Sequence, residues 1–493
     1  MRPLKLAKFL APMSFAGAVT AAYLGANCDQ ISVGLTPIND LGKNLYLDRF
    51  QGGLYPNGSN DVPTDHAIEG LVRVEAVQPL DGEGEAEPNG KYVLLSIGMS
   101  NTSQEFCCGS WTFMGQAANH PDTDQTSLVI VNGAANGQSA DTWDSPDEEN
   151  YDRIRDERLA PLGLTEAQVQ AVWVKVANPG PKASLPNNEA DAYRLVVQMG
   201  DIARALTVRY PNLQVAFFSS RIYAGYSSTN LNPEPYAYES GFAVKWLVRA
   251  QIDQMAGGEV DPRAGDLDYN TVAPWIAWGP YPWADGLIAR SDGLIWECDD
   301  FASDGTHPSM SGEQKVGAML LQFMLFSPYA APWFRADGGQ IPGIPPDGFN
   351  AFRGFFDSGA LADLLESDDN DLCYEPGIVL NPTEAPIILD FLGTLPNDSP
   401  ASLDVTIESS ANTVGLELTF SLWNYNTDSW DVVGTDTQSL NDDTVRTFAG
   451  NPVDHVEPGT GEVRTRYEVR VVSFIFVFPW LDCIDQIFWT TTN

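Results

Sequence analysis

Between Tyr92 and Phe326 short, nearly continuous apolar runs alternate with stretches of helical periodicity, and few folds accept that rhythm. The runs Tyr92–Ile97, Ser127–Asn132, Gln170–Val176, Leu213–Ser219 and Ala273–Trp278 have no polar face. Each must be buried on both sides, as the strands of a parallel sheet are. Between them, Glu189–Tyr210 carries Leu195, Val196, Met199, Ile202 and Leu206 at helical spacing. Ser240–Met255 does the same with Val244, Leu247, Val248 and Ile252. The β-helix-β order predicts an α/β fold over residues 91–334, a three-layer α/β/α sandwich around a mostly parallel sheet. Ser311-Gly-Glu-Gln314 fits a capping box and predicts a last helix with Val316, Met319, Leu320 and Phe323 on its apolar face.

The flanking segments read differently. Residues 1–26 have a basic start (Arg2, Lys5, Lys8) and an apolar, small-residue stretch from Phe9 to Leu24, the pattern of a secretory signal peptide. Residues 27–90 are rich in Gly and turn residues and are expected to wrap the α/β unit irregularly, with some strand at Ala67–Val77. Pro and Gly crowd residues 335–348, which predicts a linker. From 349 to 493 the period drops to two, as in Leu403-Asp-Val405-Thr-Ile407 and in Val463–Val471, and turn signals punctuate the runs. That stretch is expected to be an all-β sandwich. Phe474–Trp480 reads as a buried strand, and the acidic run Glu366–Asp371 as a solvated turn.

The chain has 493 residues, 66 of them acidic and 27 basic, for a formal charge of −39. Such a surface repels nucleic acid and anionic membranes, so neither is an expected partner. No second stretch is long enough for a membrane span. The expected location is secreted, periplasmic or at the cell surface. Six cysteines in an oxidising compartment favour disulfides. Cys373 and Cys483 share the C-terminal region and are expected to pair; a bridge from Cys107 or Cys108 to Cys298 would tie together the loops of the site described next. No cysteine or histidine cluster has zinc spacing, so no metal and no cofactor are expected.

Ser100 follows the first apolar run, in Gly98-Met-Ser100-Asn101, and its hydroxyl would stand at the carboxyl edge of the sheet. Asp304-Gly-Thr-His307 puts a carboxylate and an imidazole in one turn before the last helix. A serine needs a base to become a nucleophile, and the base needs an acceptor to fix its tautomer, so Ser100, His307 and Asp304 are the candidate catalytic residues. Two more segments end at that edge, Asn132-Gly133-Ala-Ala-Asn-Gly137 and Lys175-Val-Ala-Asn178. A glycine N–H and an asparagine amide are good donors to a developing oxyanion. Tyr223, Trp278, Arg221 and Asn101 are candidate substrate-binding residues; Gly133 competes with Gly137, plain packing competes with the aromatic assignments, and a structural ion pair competes equally with the substrate role of Arg221.

Taken in order, these four segments resemble the signature blocks of the SGNH (GDSL-like) hydrolase superfamily, in particular its carbohydrate and sialate acetylesterase branch. The resemblance covers about residues 90–330. It implies a flavodoxin-like sheet and a serine ester hydrolase with Ser100, Asp304 and His307 as triad and Ser100, Gly137 and Asn178 as oxyanion donors. It further implies a small-molecule or polysaccharide ester as substrate, preferably an acetylated carbohydrate. Two departures stand out: Met99 holds the place of the usual Asp, and Val176 the place of a Gly two residues before Asn178. The second supports a competing expectation, an exported glycan- or matrix-binding surface protein with a degenerate hydrolase domain.

Overall fold

The computed structural model describes residues 25–336, 338, 343–365, 371–379, 381, 384–441, 443–473 and 479–492. The signal-peptide stretch through residue 24, part of the linker, residues 366–370 of the acidic run and residues 474–478 of the last apolar run lie outside these.

Five strands form one parallel sheet: β1 (Tyr92–Gly98), β2 (Leu128–Asn132), β3 (Val169–Lys175), β4 (Val215–Phe218) and β5 (Trp275–Trp278). Their spatial order is β2-β1-β3-β4-β5, and every pairing is parallel. All residues of β1, β3, β4 and β5 are buried, which is why their sequences lack a polar face. The order reverses at β1, so the crevice between the carboxyl ends of β1 and β3 is where an open α/β sheet offers a binding site.

The main helices are α1 (Thr64–Glu75), α2 (Ser100–Phe106), α3 (Phe113–Asn119), α4 (Asp191–Arg209), α5 (Tyr236–Met255) and α6 (Met310–Phe326). α1 overturns the strand expected at Ala67–Val77. Its buried residues His66, Gly70 and Val74 are four apart, a helical stripe, whereas Ile68, Leu71 and Val72 face solvent. Gly70 lets the helix approach the sheet; a Cβ there would lie 2.4 Å from the Trp275 ring. The capping box expected at Ser311 is also absent. α6 starts at Met310 after Ser309, and both serine hydroxyls donate instead to the Asp299 carbonyl, at 2.6 Å from Ser309 and 3.3 Å from Ser311.

Two antiparallel five-stranded sheets follow the α/β unit. One contains Leu372–Glu375, Ser402–Ala411, Thr444–Gly450 and Asp482–Thr492; the other contains Ile387–Thr394, Leu416–Asn424, Ser429–Thr437 and Glu462–Val471. Leu403, Val405, Ile407 and Ile487 of the first share a core with Leu389, Phe391, Phe420 and Tyr467 of the second. This core is separate from the larger one around the parallel sheet. No helix among the described residues is long and apolar enough to cross a membrane.

Three disulfides are present. Cys373–Cys483 joins directly opposed residues of adjacent strands, as expected. The other two differ from the expected bridge: Cys28 pairs with Cys298, and Cys107 with its neighbour Cys108. The N-terminal segment, not the α2 loop, is therefore what is bridged to the segment before Asp304.

Candidate active site

β1 ends in Gly98, whose φ of 154° suits glycine. A Cβ there would lie 2.2 Å from the Lys175 carbonyl oxygen and 2.5 Å from Thr102 Oγ1. This close approach lets α2 start at Ser100, at the carboxyl edge of the sheet. Beneath α2, Thr102 Oγ1 donates to the Lys175 carbonyl (2.6 Å), and Lys175 Nζ lies 2.6 and 2.5 Å from the two Glu105 carboxylate oxygens. Both members of this ion pair are fully buried. Burial pushes the Glu105 carboxyl up and the Lys175 ammonium down, and their contact opposes both shifts.

The second half of the site is the turn Asp304–His307. Gly305 has φ 62°, and a Cβ on it would lie 1.9 Å from the Tyr226 carbonyl oxygen, so this turn needs glycine at that position. Asn101, next to Ser100, donates through Nδ2 to the Thr306 carbonyl (2.9 Å). One side chain thus braces the α2 start against the acid–base turn.

Ser100 Oγ lies 2.8 Å from His307 Nε2. His307 Nδ1 lies 2.6 Å from Asp304 Oδ2. Asp304 Oδ1 accepts the backbone N–H groups of Thr306 and His307, each at 3.0 Å. Burial alone would raise the Asp304 carboxyl, but these donors and the imidazole outweigh it and hold it below the usual carboxylate range. An ionised Asp304 accepts the Nδ1 proton, which leaves the Nε2 lone pair facing the Ser100 hydroxyl.

These groups open onto a cavity of about 560 Å³ lined by Ser100, Asn101, Gly137, Asn178, Arg221, Asn232 and His307, among others. Gly137 is on its wall, with φ 75°. Its competitor Gly133 is committed elsewhere: its N–H donates to Ser96 Oγ (3.2 Å), and its carbonyl accepts from Arg153. Asn178 also lines the cavity, but its amide is in use. Nδ2 donates to Gln198 Oε1 (2.8 Å) and Asp191 Oδ1 (3.3 Å), and the buried atom left without a partner is Oδ1, an acceptor. In this orientation Asn178 offers no donor to an oxyanion, contrary to expectation. Turning the Asn178 and Gln198 carboxamides together would preserve their mutual hydrogen bond and put Nδ2 at the unpartnered position that Oδ1 now holds. Burial raises the Asp191 carboxyl, and its protonated form would accept that change by donating to Asn178 Oδ1.

Arg221 follows β4 and reaches the cavity while only 1 % exposed. Burial pushes its guanidinium down, and Glu105, Glu234 and Asp304 push back. Two aromatic assignments are corrected. Tyr223 is fully buried, donates to the Gln30 carbonyl (2.7 Å) and packs on Tyr226 and Trp283. Trp278 donates to the Leu54 carbonyl (2.7 Å) and lines a different cavity with Tyr55, Tyr281 and Tyr329. Both rings anchor the N-terminal segment instead of the substrate site. Sequence reasoning missed Asn232, whose Nδ2 holds the Asn178 carbonyl at 3.2 Å, and the Gln198–Asp191 pair on α4. None of these has a local motif; only the meeting of loops reveals them. Among the described residues a carboxylate–sulfur group with metal-ligand spacing occurs at Asp371, Cys373 and Cys483, but its two sulfurs are joined in a disulfide.

No family model matches the chain, and no curated protein matches it. Solved structures do. TmCBM61 in complex with β-1,4-galactotriose is 10% identical over 31% of this chain and 96% of that chain, with a TM-score of 0.20. A structure titled for CBM4 is 13% identical over 30% of this chain and 89% of that chain, with a TM-score of 0.20. CBM29_1, a family 29 carbohydrate-binding module from Piromyces equi, is 16% identical over 30% of this chain and 83% of that chain, with a TM-score of 0.19.

Proposed function

We propose that this protein is a serine ester hydrolase of the SGNH type that works through an acyl-enzyme. The observation that carries the reading is the continuous relay Ser100 Oγ, His307 Nε2, His307 Nδ1, Asp304 Oδ2, with both links within 2.8 Å, at the mouth of a cavity. Ser100 Oγ attacks the ester carbonyl carbon as His307 Nε2 takes its proton. Asp304 steadies the imidazolium. The Ser100 and Gly137 backbone N–H groups receive the oxyanion, joined by Asn178 once its carboxamide turns. His307 then gives its proton to the departing alkoxide, and water releases the acyl group through the same base. The cavity fits a small acyl group with part of its alcohol, and we favour an acetylated carbohydrate. Three disulfides suit an oxidising, extracellular setting. The test is hydrolysis of 4-nitrophenyl acetate: turnover in the wild type and its loss in Ser100→Ala are expected, whereas full activity in the variant removes the proposal.

A second reading, glycan binding without turnover, is favoured by the outer face of one sandwich sheet. There the Arg466 guanidinium stacks 4.3 Å from the Trp430 ring centroid and 5.5 Å from that of Phe352, which is 68 % exposed. Trp423 packs edge-on against Trp430. Flat rings held in place on an open sheet can stack on sugar faces. Polysaccharide retention that Trp430→Ala abolishes, together with no esterase turnover in the wild type, would select this reading over the first.

A further inference from the structure

We propose that the cavity beside Ser100 takes an ester bearing a carboxylate, and that Arg221 is the group that recognises it. This deepens the acyl-transfer reading and rests on it. Arg221 is buried, yet its Nε and Nη2 have no hydrogen-bond partner. A guanidinium stays charged in proteins, so it cannot escape the cost of burial by losing a proton. The carboxylates near enough to act on it are engaged elsewhere. Both Glu105 oxygens meet Lys175 Nζ. Glu234 accepts from Trp283 Nε1 and from the N–H groups of Ala224 and Tyr238. Asp304 serves His307 and Thr306.

Nε and Nη2 form one edge of the guanidinium fork, the edge that meets a carboxylate through two parallel bonds. Two other arginines show that edge filled: Arg466 gives Nε and Nη2 to the two Asp390 oxygens at 2.6 and 2.7 Å, and Arg290 does the same to Asp292. Arg221 lines a cavity whose wall includes no Asp or Glu among its described residues, in a chain of net charge −39, and its Nε and Nη2 are left unfilled beside it. On the same wall, Asn232 Oδ1 is a buried acceptor without a partner. One guanidinium edge and one free acceptor complement a molecule with a carboxylate and a hydroxyl group. The carboxylate sits either on the alcohol, as in an acetylated uronic acid, or on the acyl chain, as in a dicarboxylic half-ester.

Matched substrate pairs test this. The alcohol arm compares acetylated glucuronic acid with acetylated glucose; the acyl arm compares 4-nitrophenyl hemisuccinate with 4-nitrophenyl acetate. In one arm the wild type is expected to prefer the charged member by about tenfold or more in kcat/KM. The ratio should fall toward unity in Arg221→Gln and take an intermediate value in Arg221→Lys. A wild-type preference for the neutral member in both arms, or a preference unchanged in Arg221→Gln, overturns the assignment. Should Arg221→Gln fail to fold, Arg221→Lys carries the test: a reduced ratio supports the subsite and an unchanged one overturns it. If the wild type hydrolyses none of the four esters, the acyl-transfer reading is what fails. The subsite is then judged by calorimetry with glucuronate and succinate, where binding weakened in the Arg221 variants supports it and no binding, or equal binding, overturns it.

Discussion

Asp304→Asn should disable the site while leaving its shape intact. The Oδ1 of the introduced carboxamide can keep accepting the N–H groups of Thr306 and His307, which Asp304 Oδ1 accepts at 3.0 Å. The other atom changes sign. Where Asp304 Oδ2 accepts the His307 Nδ1 proton at 2.6 Å, an amide Nδ2 can only donate. The imidazole must then carry its proton on Nε2, 2.8 Å from Ser100 Oγ, and it presents a donor where catalysis needs an acceptor. Loss of the correct tautomer in a Ser-His-Asp relay costs about 10⁴-fold in kcat, roughly 5.5 kcal/mol of barrier. Steady-state hydrolysis of 4-nitrophenyl acetate at neutral pH measures it, with near-ultraviolet circular dichroism confirming the fold. An Asp304→Asn protein within tenfold of the wild type would refute the tautomer argument.

Other expectations follow from packing and charge. Gly98→Ala would drive a methyl into the Lys175 carbonyl, so a loss of about 2–4 kcal/mol in denaturant unfolding is expected; unchanged stability would show that the β1–α2 junction can yield. Asp482 is buried under Gln438 and Tyr467, and burial raises its carboxyl to about 7. The folded sandwich therefore keeps a proton that the unfolded chain releases, and its stability should fall as pH rises from about 4 to about 7, by up to about 4 kcal/mol. Asp482→Asn should flatten that slope in urea titrations at several pH values, and a slope that survives would mean that Asp482 is not its source. The Cys28–Cys298 bridge spans 270 residues, so the paired serine variant should lose up to about 5 kcal/mol and melt lower. The Cys107–Cys108 bridge joins adjacent residues and constrains no longer stretch of chain, so its serine variant should melt near the wild type.

The parallel sheet is legible in the sequence because burial on both faces leaves a mark in each strand: β1 reads Tyr-Val-Leu-Leu-Ser-Ile-Gly without a polar side. The Asp304 turn is legible because its acid and base are three residues apart and it opens with the turn-forming Asp-Gly pair of Asp304-Gly-Thr-His307. Contacts made only by tertiary meeting are not. α1 has β-branched residues and reads like strand, but the contact that decides it is Gly70 against the Trp275 ring, 205 positions along the chain. The aromatic loops offer no sign that Tyr223 and Trp278 pack under residues 30 and 54. The place of Asn178 after β3 suggests a free amide; that Gln198 and Asp191 occupy it depends on how α4 lies along the sheet. Disulfide choice fails for the same reason, since Cys28 reaches Cys298 only because residues 25–60 fold back over the α/β unit.

Whether Ser100 is a nucleophile activated by His307 is tested most directly by covalent capture. Incubation with a fluorophosphonate, followed by digestion and mass spectrometry, should place one phosphonyl adduct on Ser100 of the wild type, with labelling slowed at least about a hundredfold in His307→Ala. A folded wild-type protein that stays unlabelled, or that carries the adduct on a different residue, would contradict the account.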